Sequence, residues 1–168
     1  MQLFKHLFLF ITGSILLTAC GIYSFTGASI PAEAKTVSVQ YFSNKAATVQ
    51  PTLSQVFTER LKDVFVEQTN LTLSENEGDL AFSGYISKYQ IKPMAIKADE
   101  TAGKNRLTIA VKVTYHNSFD TKSNFEQTFS RYHDYESSQN ISDIESDLIE
   151  EITNELVEDI FNKAFVNW

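Results

Sequence analysis

The sequence from Arg106 to Ser118 alternates apolar and polar side chains, and this alternation limits the possible folds more than any other stretch. Five apolar residues would share one face of an extended strand: Leu107, Ile109, Val111, Val113 and Tyr115. The residues between them, from Thr108 to His116, would take the other face, because successive side chains point to opposite sides of a strand. The pattern predicts a sheet with one apolar face, which other elements must cover, and one polar face.

Two amphipathic helices are predicted to cover the apolar face. The first begins after Pro51, a residue suited to a helix start. Its apolar residues recur at three- and four-residue steps: Leu53, Val56, Phe57, Leu61, Val64 and Phe65. The second helix has a similar stripe: Ile144, Leu148, Ile152, Leu156 and Ile160. Ser142 and Glu145 match a capping box that would begin it. Both patterns are typical of helices with one buried side.

Three further strands are predicted around these elements. Residues 36–42 alternate Val37, Val39 and Tyr41 with polar positions. Residues 80–91 are rich in aromatic and β-branched residues, with Gly84 indicating a bulge or a close contact, and residues 125–135 form a less regular strand. The order strand, helix, three strands, helix predicts an α+β two-layer sandwich. Two helices would pack on one face of a mainly antiparallel four-stranded sheet.

The first 19 residues have the layout of a bacterial export signal. Lys5 gives a positive start, and the apolar run from Leu7 to Leu17 is too short to span a membrane. The tetrapeptide LTAC, residues 17–20, matches a lipobox, where cleavage precedes the cysteine and its thiol receives a diacylglycerol. We predict a lipoprotein signal peptide at 1–19, lipidation of Cys20 and a single domain at 20–168. The alternative is an ordinary signal peptide with an incidental cysteine.

The residues after Cys20 and the overall charge indicate where the protein acts. Gly21, rather than an acidic residue, follows the cysteine, and no charge-rich tether comes next. Both features favour an outer-membrane anchor with the domain facing the periplasm. The net charge of −7 makes the chain a poor candidate for binding nucleic acid. Any anion that it binds must meet a local basic patch.

Few residues in the sequence suggest catalysis. His116 and His133 fall on consecutive predicted strands and, with Asp134, could hold a metal, although strand histidines are more often plain surface residues. The sequence has no nucleophile elbow, phosphate loop or dinucleotide fingerprint. We therefore expect no enzyme activity, no cofactor and no metal site.

Two charged segments stand out. Residues 92–106 are predicted to form a loop or hairpin tip with four bases: Lys92, Lys97, Lys104 and Arg106. These bases either solubilise an exposed hairpin or meet phosphate or carboxylate groups of a lipid head. The last helix carries many acids against the single base Lys163. Its acidic side is either a solvated face or a surface toward a polar, water-filled partner.

The segment CGIYSFTGASIP, residues 20–31, resembles the mature start of the LPS-assembly lipoprotein family LptE. The resemblance is carried by Cys20, Gly21, Tyr23, Phe25, Gly27 and Pro31. The predicted element order, the chain length and the helix segment SQVFTERLKDVF are also similar to the family, and FEQTFSRYHDYESSQ is similar to its Bacteroidota-type form. The middle loop and the acidity differ from the enterobacterial form, so no LPS-contacting residue carries over by position.

The resemblance implies an outer-membrane lipoprotein subunit of the LPS transport machinery. Such a protein plugs the LptD β-barrel, assists its assembly and helps deliver LPS to the outer leaflet. Its implied partners are an LptD-like barrel, LPS and, through the N-terminal lipid, the outer membrane. The candidate LPS contacts are then Lys92, Lys97, Lys104 and Arg106, and the candidate barrel or membrane-proximal contacts are Tyr23 and Phe25. The alternative for the last two is a disordered tether. The alternative function is a free-standing lipid-anchored periplasmic binding domain, such as an auxiliary lipoprotein of a lipid ABC transporter.

Overall fold

The structure is a computed structural model that describes residues 30–94 and 103–166. Its elements, in chain order, are β1 (Thr36–Val39), β2 (Ser43–Asn44), α1 (Leu53–Gln68), β3 (Thr72–Leu73), β4 (Leu80–Pro93), β5 (Lys104–Asn117), β6 (Phe125–Glu136) and α2 (Ile141–Phe165). A short 3-10 helix at Thr121–Ser123 lies in the connection between β5 and β6.

The sheet is mixed and six-stranded, which corrects the prediction of a mainly antiparallel four-stranded sheet. The strand order is β3-β1-β4-β5-β6, and β2 pairs with β4. β1 pairs in parallel with both β3 and β4, and β2 is also parallel to β4. Among the strands of the described residues, only β4, β5 and β6 form an antiparallel meander. β1 and β4 run in the same direction because α1 lies between them in the chain and serves as the crossover that a parallel pair requires.

The predicted one-sided strand is confirmed in β5. The five apolar residues from Leu107 to Tyr115 are at most 1% exposed. Both helices pack on the face of the sheet that carries these five apolar residues, as predicted. Phe65 of α1 stacks on Phe82 of β4 with ring centroids 4.5 Å apart, and Phe165 of α2 meets Tyr115 edge-on at 6.1 Å. The core is therefore a single layer of side chains between the sheet and the helix pair.

The helix starts differ in part from the predictions. α1 begins after Pro51, as expected, and the side-chain oxygen of Gln50 accepts hydrogen bonds from the N–H groups of Thr52 and Leu53 at 2.7 and 2.8 Å. The predicted capping box of α2 is wrong. Asn140 is the N-cap and accepts the N–H of Ser142 at 3.3 Å. Glu145 instead accepts a hydrogen bond from the Tyr89 hydroxyl on β4.

The first predicted strand, at 36–42, is interrupted. β1 ends at Val39, and Tyr41, expected to share the side of Val37, is 62% exposed, whereas Phe42 is fully buried. The N–H of Phe42 donates to the Thr58 hydroxyl on α1 at 3.1 Å, which draws this residue under the helix. The alternation slips by one position as a result, and pairing resumes with β2.

Gly84 marks a close contact, one of the two outcomes predicted for it. A Cβ atom at this position would lie 2.0 Å from the carbonyl oxygen of Lys112 on β5. Its φ of +155° is also a conformation that residues with side chains rarely adopt. The register shift in the β4–β5 pair lies further along β4, between Ile86 and Lys88.

The chain enters the sheet at one end, which we call the proximal end. There, the Asp79 carboxylate accepts the N–H groups of Lys35 and Thr36 at 2.9 and 3.0 Å, and the Thr36 hydroxyl at 2.9 Å. β1 then pairs with β4 from Leu80 onward. The opposite, distal end of β4 is at Pro93. At about 3.3 Å per residue, the two ends of β4 lie roughly 45 Å apart.

Candidate functional site

The predicted basic loop is shorter than expected, because β4 and β5 extend into it. Lys92 lies on β4, and Lys104 and Arg106 lie on β5, at the distal end of the sheet. Lys92 is exposed and is the Cα partner of Arg106, so these two side chains share a face. Lys97 lies outside the described residues. The structure thus brings three of the four predicted bases together on strands rather than on a loop.

Arg106 is already bound within the chain. Its guanidinium makes two hydrogen bonds to the Asp134 carboxylate, at 2.7 and 2.8 Å, and lies 3.6 Å from the centre of the Tyr132 ring. The hydrogen bonds raise the pKa of Arg106 and lower the pKa of Asp134. Because the Nε and Nη2 edge of the guanidinium is bound to Asp134 and one of its faces lies against the Tyr132 ring, Arg106 is a weaker candidate for anion binding than its charge suggests.

The sheet face opposite the helices is uncovered and polar, and we call it the open sheet face. It contains the row Lys92, Arg106 and Asp134, and then, four residues along β5, the row Lys88, Ala110 and Ser130. The strand bases of this face are Lys88, Lys92, Lys104, Arg106 and Lys112, and its strand acids are Glu126, Asp134 and Glu136. Lys45 adds a sixth base, because its ammonium group lies over the Tyr85 ring on this face. The face is therefore basic in a chain that is acidic as a whole.

The helix α2 has the opposite charge. It carries Asp143, Glu145, Asp147, Glu150, Glu151, Glu155, Glu158 and Asp159, against Lys163 alone. Arg131 on β6 neutralises part of this acidity. Arg131 binds Asp159 at 2.6 Å, and His133 lies 3.1 Å from Glu151. The carboxylate of Asp159 raises the pKa of Arg131. Of the remaining acids, Glu145 is partly buried beside Tyr89, and the others, among them Glu150 and Glu158, are exposed.

His116 and His133 lie on opposite faces of the sheet, so the structure does not bring together the two histidines that the sequence offered as a possible pair. His133 is the Cα partner of Leu107 and lies on the helix side, whereas His116 lies on the open sheet face near the other end of β5. The two positions are about 30 Å apart along the strand. His116 is 3.0 Å from the Asn124 amide, and Asp134 is held by Arg106. Within residues 30–94 and 103–166, no group of three or more His, Cys, Asp or Glu side chains is arranged to hold a metal ion.

An open groove of about 910 Å³ lies at the proximal end of the sheet. Its walls are β1, the loop at 74–78 and the ends of β4 and β5, and α1 contributes Glu59 and Lys62. The lining combines the acids Glu75 and Glu77 with small hydroxyl side chains. The lining includes one imidazole, that of His116, and it contacts the side-chain amide of Asn124 rather than a hydroxyl group that could act as a nucleophile. The groove thus offers polar contacts and no paired catalytic groups within its lining.

Besides Lys97, three predicted site residues lie outside the part of the chain that the structure describes: Cys20, Tyr23 and Phe25. Their roles as lipid attachment site and as barrel or membrane-proximal contacts remain predictions. In the described ranges, no helix is both long and apolar enough to cross a membrane.

The features that the sequence did not reveal are the ion pairs between strands. The pairing of Arg106 with Asp134 depends on the register of β5 and β6. The contact of Arg106 with the Tyr132 ring requires that both side chains lie on the same face of the sheet. The one available signal was the alternation of β5, which places Arg106 on the polar side. Without the register of β6, that signal could not identify a partner.

Fold and surface together define a small two-layer α+β domain whose main surface features are one basic sheet face and one acidic helix. The chain belongs to the LptE family, described as lipopolysaccharide-assembly, because the sequence model of that family matches residues 34–164. The match includes every strand of the sheet, all of α1, and α2 up to its last residue but one. No curated protein sequence matches the chain.

Several solved structures are similar in fold at low sequence identity. A minor lipoprotein from Acinetobacter baumannii has a TM-score of 0.51 and 15% identity, over 77% of this chain and 91% of that one. A hypothetical protein from Chlamydia trachomatis has a TM-score of 0.53 and 8% identity, over 80% and 99%. A protein from Xanthomonas campestris has a TM-score of 0.50 and 10% identity, over 80% and 87%. These likenesses show a shared fold.

Proposed function

We propose that this chain is an outer-membrane lipoprotein of the LPS transport machinery, which plugs an LptD-like β-barrel and assists its assembly for LPS insertion in the outer leaflet. The observation that carries the proposal is the LptE family match over residues 34–164. A plug must be a self-sufficient folded body, and the continuous core between the sheet and the two helices fits that need.

The lipid anchor is part of this proposal. Cys20 would carry the lipid, and the segment from Cys20 to Ile30 spans at most about 36 Å when fully extended. The domain would therefore stay close to the periplasmic face of the outer membrane. Tyr23 and Phe25 lie on this short segment and would contact the barrel or the membrane surface. A single acyl chain binds membranes only weakly, so stable anchoring requires more than one chain.

The anchor is tested by Cys20→Ser with metabolic fatty-acid labelling. We expect the wild-type protein to carry the label and to fractionate with outer membranes, and the variant to lose both properties. Continued labelling of the variant would rule out Cys20 as the lipidation site.

The assembly role is tested by depleting the protein in cells and by isolating it from outer membranes. We expect it to be purified together with a very large β-barrel, and we expect the barrel to lose its folded, heat-modifiable form on depletion. LPS should then fail to reach the outer leaflet. A barrel that assembles normally without the protein would favour the alternative, a free-standing lipid-anchored binding domain.

We also propose that the protein acts without catalysis and that Lys92, Lys97 and Lys104 contact LPS directly. His116→Ala and His133→Ala should both leave outer-membrane permeability unchanged, because neither imidazole is proposed to take part in chemistry. A severe permeability defect in His116→Ala would overturn this proposal. The same defect in His133→Ala would contradict the proposal only if the variant were as stable as the wild type. His133 also contacts Glu151, so its loss can act through stability.

A further inference from the structure

The two layers of the domain carry opposite charge. The strands of the open sheet face carry five bases and three acids, and Lys45, next to β2, adds a sixth base, whereas α2 has eight acids and one base. If Lys92 and Lys104 at the distal end are set aside as proposed LPS contacts, the centre of the face still holds Lys45, Lys88, Arg106 and Lys112 against Glu126 and Asp134. A one-sided antiparallel sheet needs no partner to be stable. It is the segregation of charge that distinguishes this face.

The open sheet face also presents a rigid aromatic contact. Tyr132 is 52% exposed, and its ring packs against the Arg106 guanidinium, which Asp134 holds with two hydrogen bonds. Tyrosine and arginine are enriched at the centres of protein interfaces. Because these side chains are already fixed, binding a partner would cost little additional conformational entropy.

A second pair of an aromatic ring and a cation lies on the same face, near β4 rather than β6. The Lys45 ammonium group is 4.5 Å from the centre of the Tyr85 ring. Lys112, opposite Tyr85 on β5, is bound to Glu126 at 2.6 Å. Among the ion pairs of the described residues, none includes Lys45 or Lys88. The β4 side of the face therefore has positive charge available for a partner.

The size of the face matches a protein interface. Four strand positions across at about 4.8 Å spacing, and about 40 Å along the strands, give a planar area of roughly 700 to 800 Å². A standard interface buries about 800 Å² on each partner.

We propose that the open sheet face docks on a carboxylate-bearing protein surface and that the outer side of α2 faces away from this partner. This inference rests on the proposed function and names the face that would meet the barrel wall. An anionic lipid surface suits the chain less well, because its net charge of −7 opposes adsorption. A second copy, bound through its acidic α2, would form a head-to-tail contact, which extends into a fibre unless the rotation between copies closes it into a ring.

The test is photo-crosslinking in cells with the full chain. A photoreactive amino acid replaces Thr128 or Ser130, both exposed on the open sheet face, or Glu150 or Glu158, both exposed on α2. The products are probed for the LptD-like barrel, for LPS and for a dimer of this chain. We expect a barrel product from the two sheet positions, at least about tenfold stronger than from the two helix positions.

The other outcomes each contradict a distinct claim. Barrel products only from Glu150 and Glu158, or equal products from all four positions, would overturn the docking face and leave the proposed function intact. Products with LPS or with a second copy at Thr128 and Ser130 would overturn the protein partner. The absence of barrel products from every position would overturn both the inference and the plug function.

A charge-reversal pair tests the electrostatic part with a matched control. Lys45→Glu combined with Lys88→Glu should reduce the barrel product from Ser130 about tenfold, because the β4 side would then repel carboxylates. Lys62→Glu combined with Lys122→Glu changes the same charge away from the open sheet face and should leave the product unchanged. Circular dichroism and thermal melting of each variant confirm that the fold is kept. An equal loss in both pairs, or in neither, would overturn the charge complementarity.

Discussion

At Gly84 the backbone of β4 comes so close to β5 that a side chain has no room. The Cβ of an alanine would lie 2.0 Å from the Lys112 carbonyl oxygen and 2.8 Å from the Phe42 ring. We predict that Gly84→Ala lowers the free energy of unfolding by roughly 2 to 4 kcal/mol. β4 and β5 must move apart to make room for the methyl group, and the positive φ adds backbone strain. Urea unfolding of the chain that starts after Cys20 measures the effect.

Ser83→Ala provides the control for this prediction. Ser83 is the neighbour of Gly84 on the same strand and is partly exposed on the open sheet face. Its truncation should change the unfolding free energy by no more than about 0.5 kcal/mol. If Gly84→Ala unfolds at the same urea concentration as the wild type, the close packing of β4 on β5 is wrong.

Asp79 joins the start of β1 to the start of β4, and its contribution to the stability of the fold should depend on pH. Hydrogen bonds from the N–H of Lys35, then from the Thr36 hydroxyl and N–H, hold the pKa of Asp79 below its ordinary value. A carboxylate with a lowered pKa in the folded state stabilises the fold fully above its unfolded pKa of about 3.9. That stabilisation is lost as the pH falls through the lower, folded value. Asp79→Asn should therefore be less stable than the wild type at pH 7.

The difference between Asp79→Asn and the wild type should shrink as the pH falls below 4. Urea unfolding at pH 7 and near pH 3 measures it, and subtracting the two proteins cancels the titration of the other acids. Asp63→Asn, which removes an exposed carboxylate on α1, is the control and should differ little from the wild type at either pH. A difference for Asp79→Asn that is independent of pH would contradict the role of its charged form.

At the scale of elements, Phe65 links α1 to both β4 and α2. Its ring centroid lies 4.5 Å from that of Phe82, 5.7 Å from that of Phe165 and 6.2 Å from that of Phe161. We predict that Phe65→Ala costs about 3 to 5 kcal/mol, because a buried aromatic ring leaves a cavity shared by three elements. Thermal and urea unfolding measure the loss.

Val66→Ala is the matched control on the same helix. Val66 is 52% exposed, so its truncation should change stability by about 0.5 kcal/mol or less. Equal losses in Phe65→Ala and Val66→Ala would mean that α1 is stabilised by helix propensity and not by the aromatic cluster.

The long elements were predictable because their patterns repeat. In β5 and in both helices one periodicity repeats several times, and the structure places the predicted apolar residues in the core or packed against it. β2 and β3 are two residues each, too short to show a period. The parallel pairing of β1 and β4 did have a signal, since a strand, a helix and a strand in succession are typical of a parallel crossover. The prediction of a mainly antiparallel sheet overlooked it.

The candidate site was predictable only as a set of charges. The sequence shows that Lys92, Lys104 and Arg106 are near one another, but the bond between Arg106 and Asp134 spans two strands whose register no local pattern reveals. The wrong capping box at Glu145 has the same origin. Its partner, Tyr89, lies on β4, more than fifty residues away in the chain.

For the whole molecule, the proposed LPS contact predicts a dependence on salt. Replacing Lys92, Lys97 and Lys104 by Gln removes three positive charges from the distal end and leaves the Arg106–Asp134 pair intact. Exposed ionic contacts contribute about 0.2 to 1 kcal/mol each, so the loss of all three should weaken LPS binding by roughly threefold to one-hundredfold. Added salt should weaken wild-type binding as well, since the Debye length falls to about 8 Å at physiological ionic strength.

Binding of purified LPS to the chain that starts after Cys20, at low and at moderate salt, measures this effect. The control replaces Lys62, Lys122 and Lys163 by Gln, which removes the same charge elsewhere. If the control weakens binding as much as the distal variant, general charge rather than the distal end accounts for the interaction. If neither variant changes binding, the distal bases only solubilise the hairpin.

If the chain is exported as proposed, the parallel pairing of β1 with β4 also sets the order in which its strands pair. The partners joined by the Asp79 carboxylate are 43 residues apart in the chain, with the whole of α1 between them. The meander of β4, β5 and β6 forms from neighbours in sequence, which is the faster kind of contact to make. We expect the N-terminal strand to emerge first from the translocon and to pair last. Until β4 has followed it, its backbone donors stay open to water or to a periplasmic chaperone.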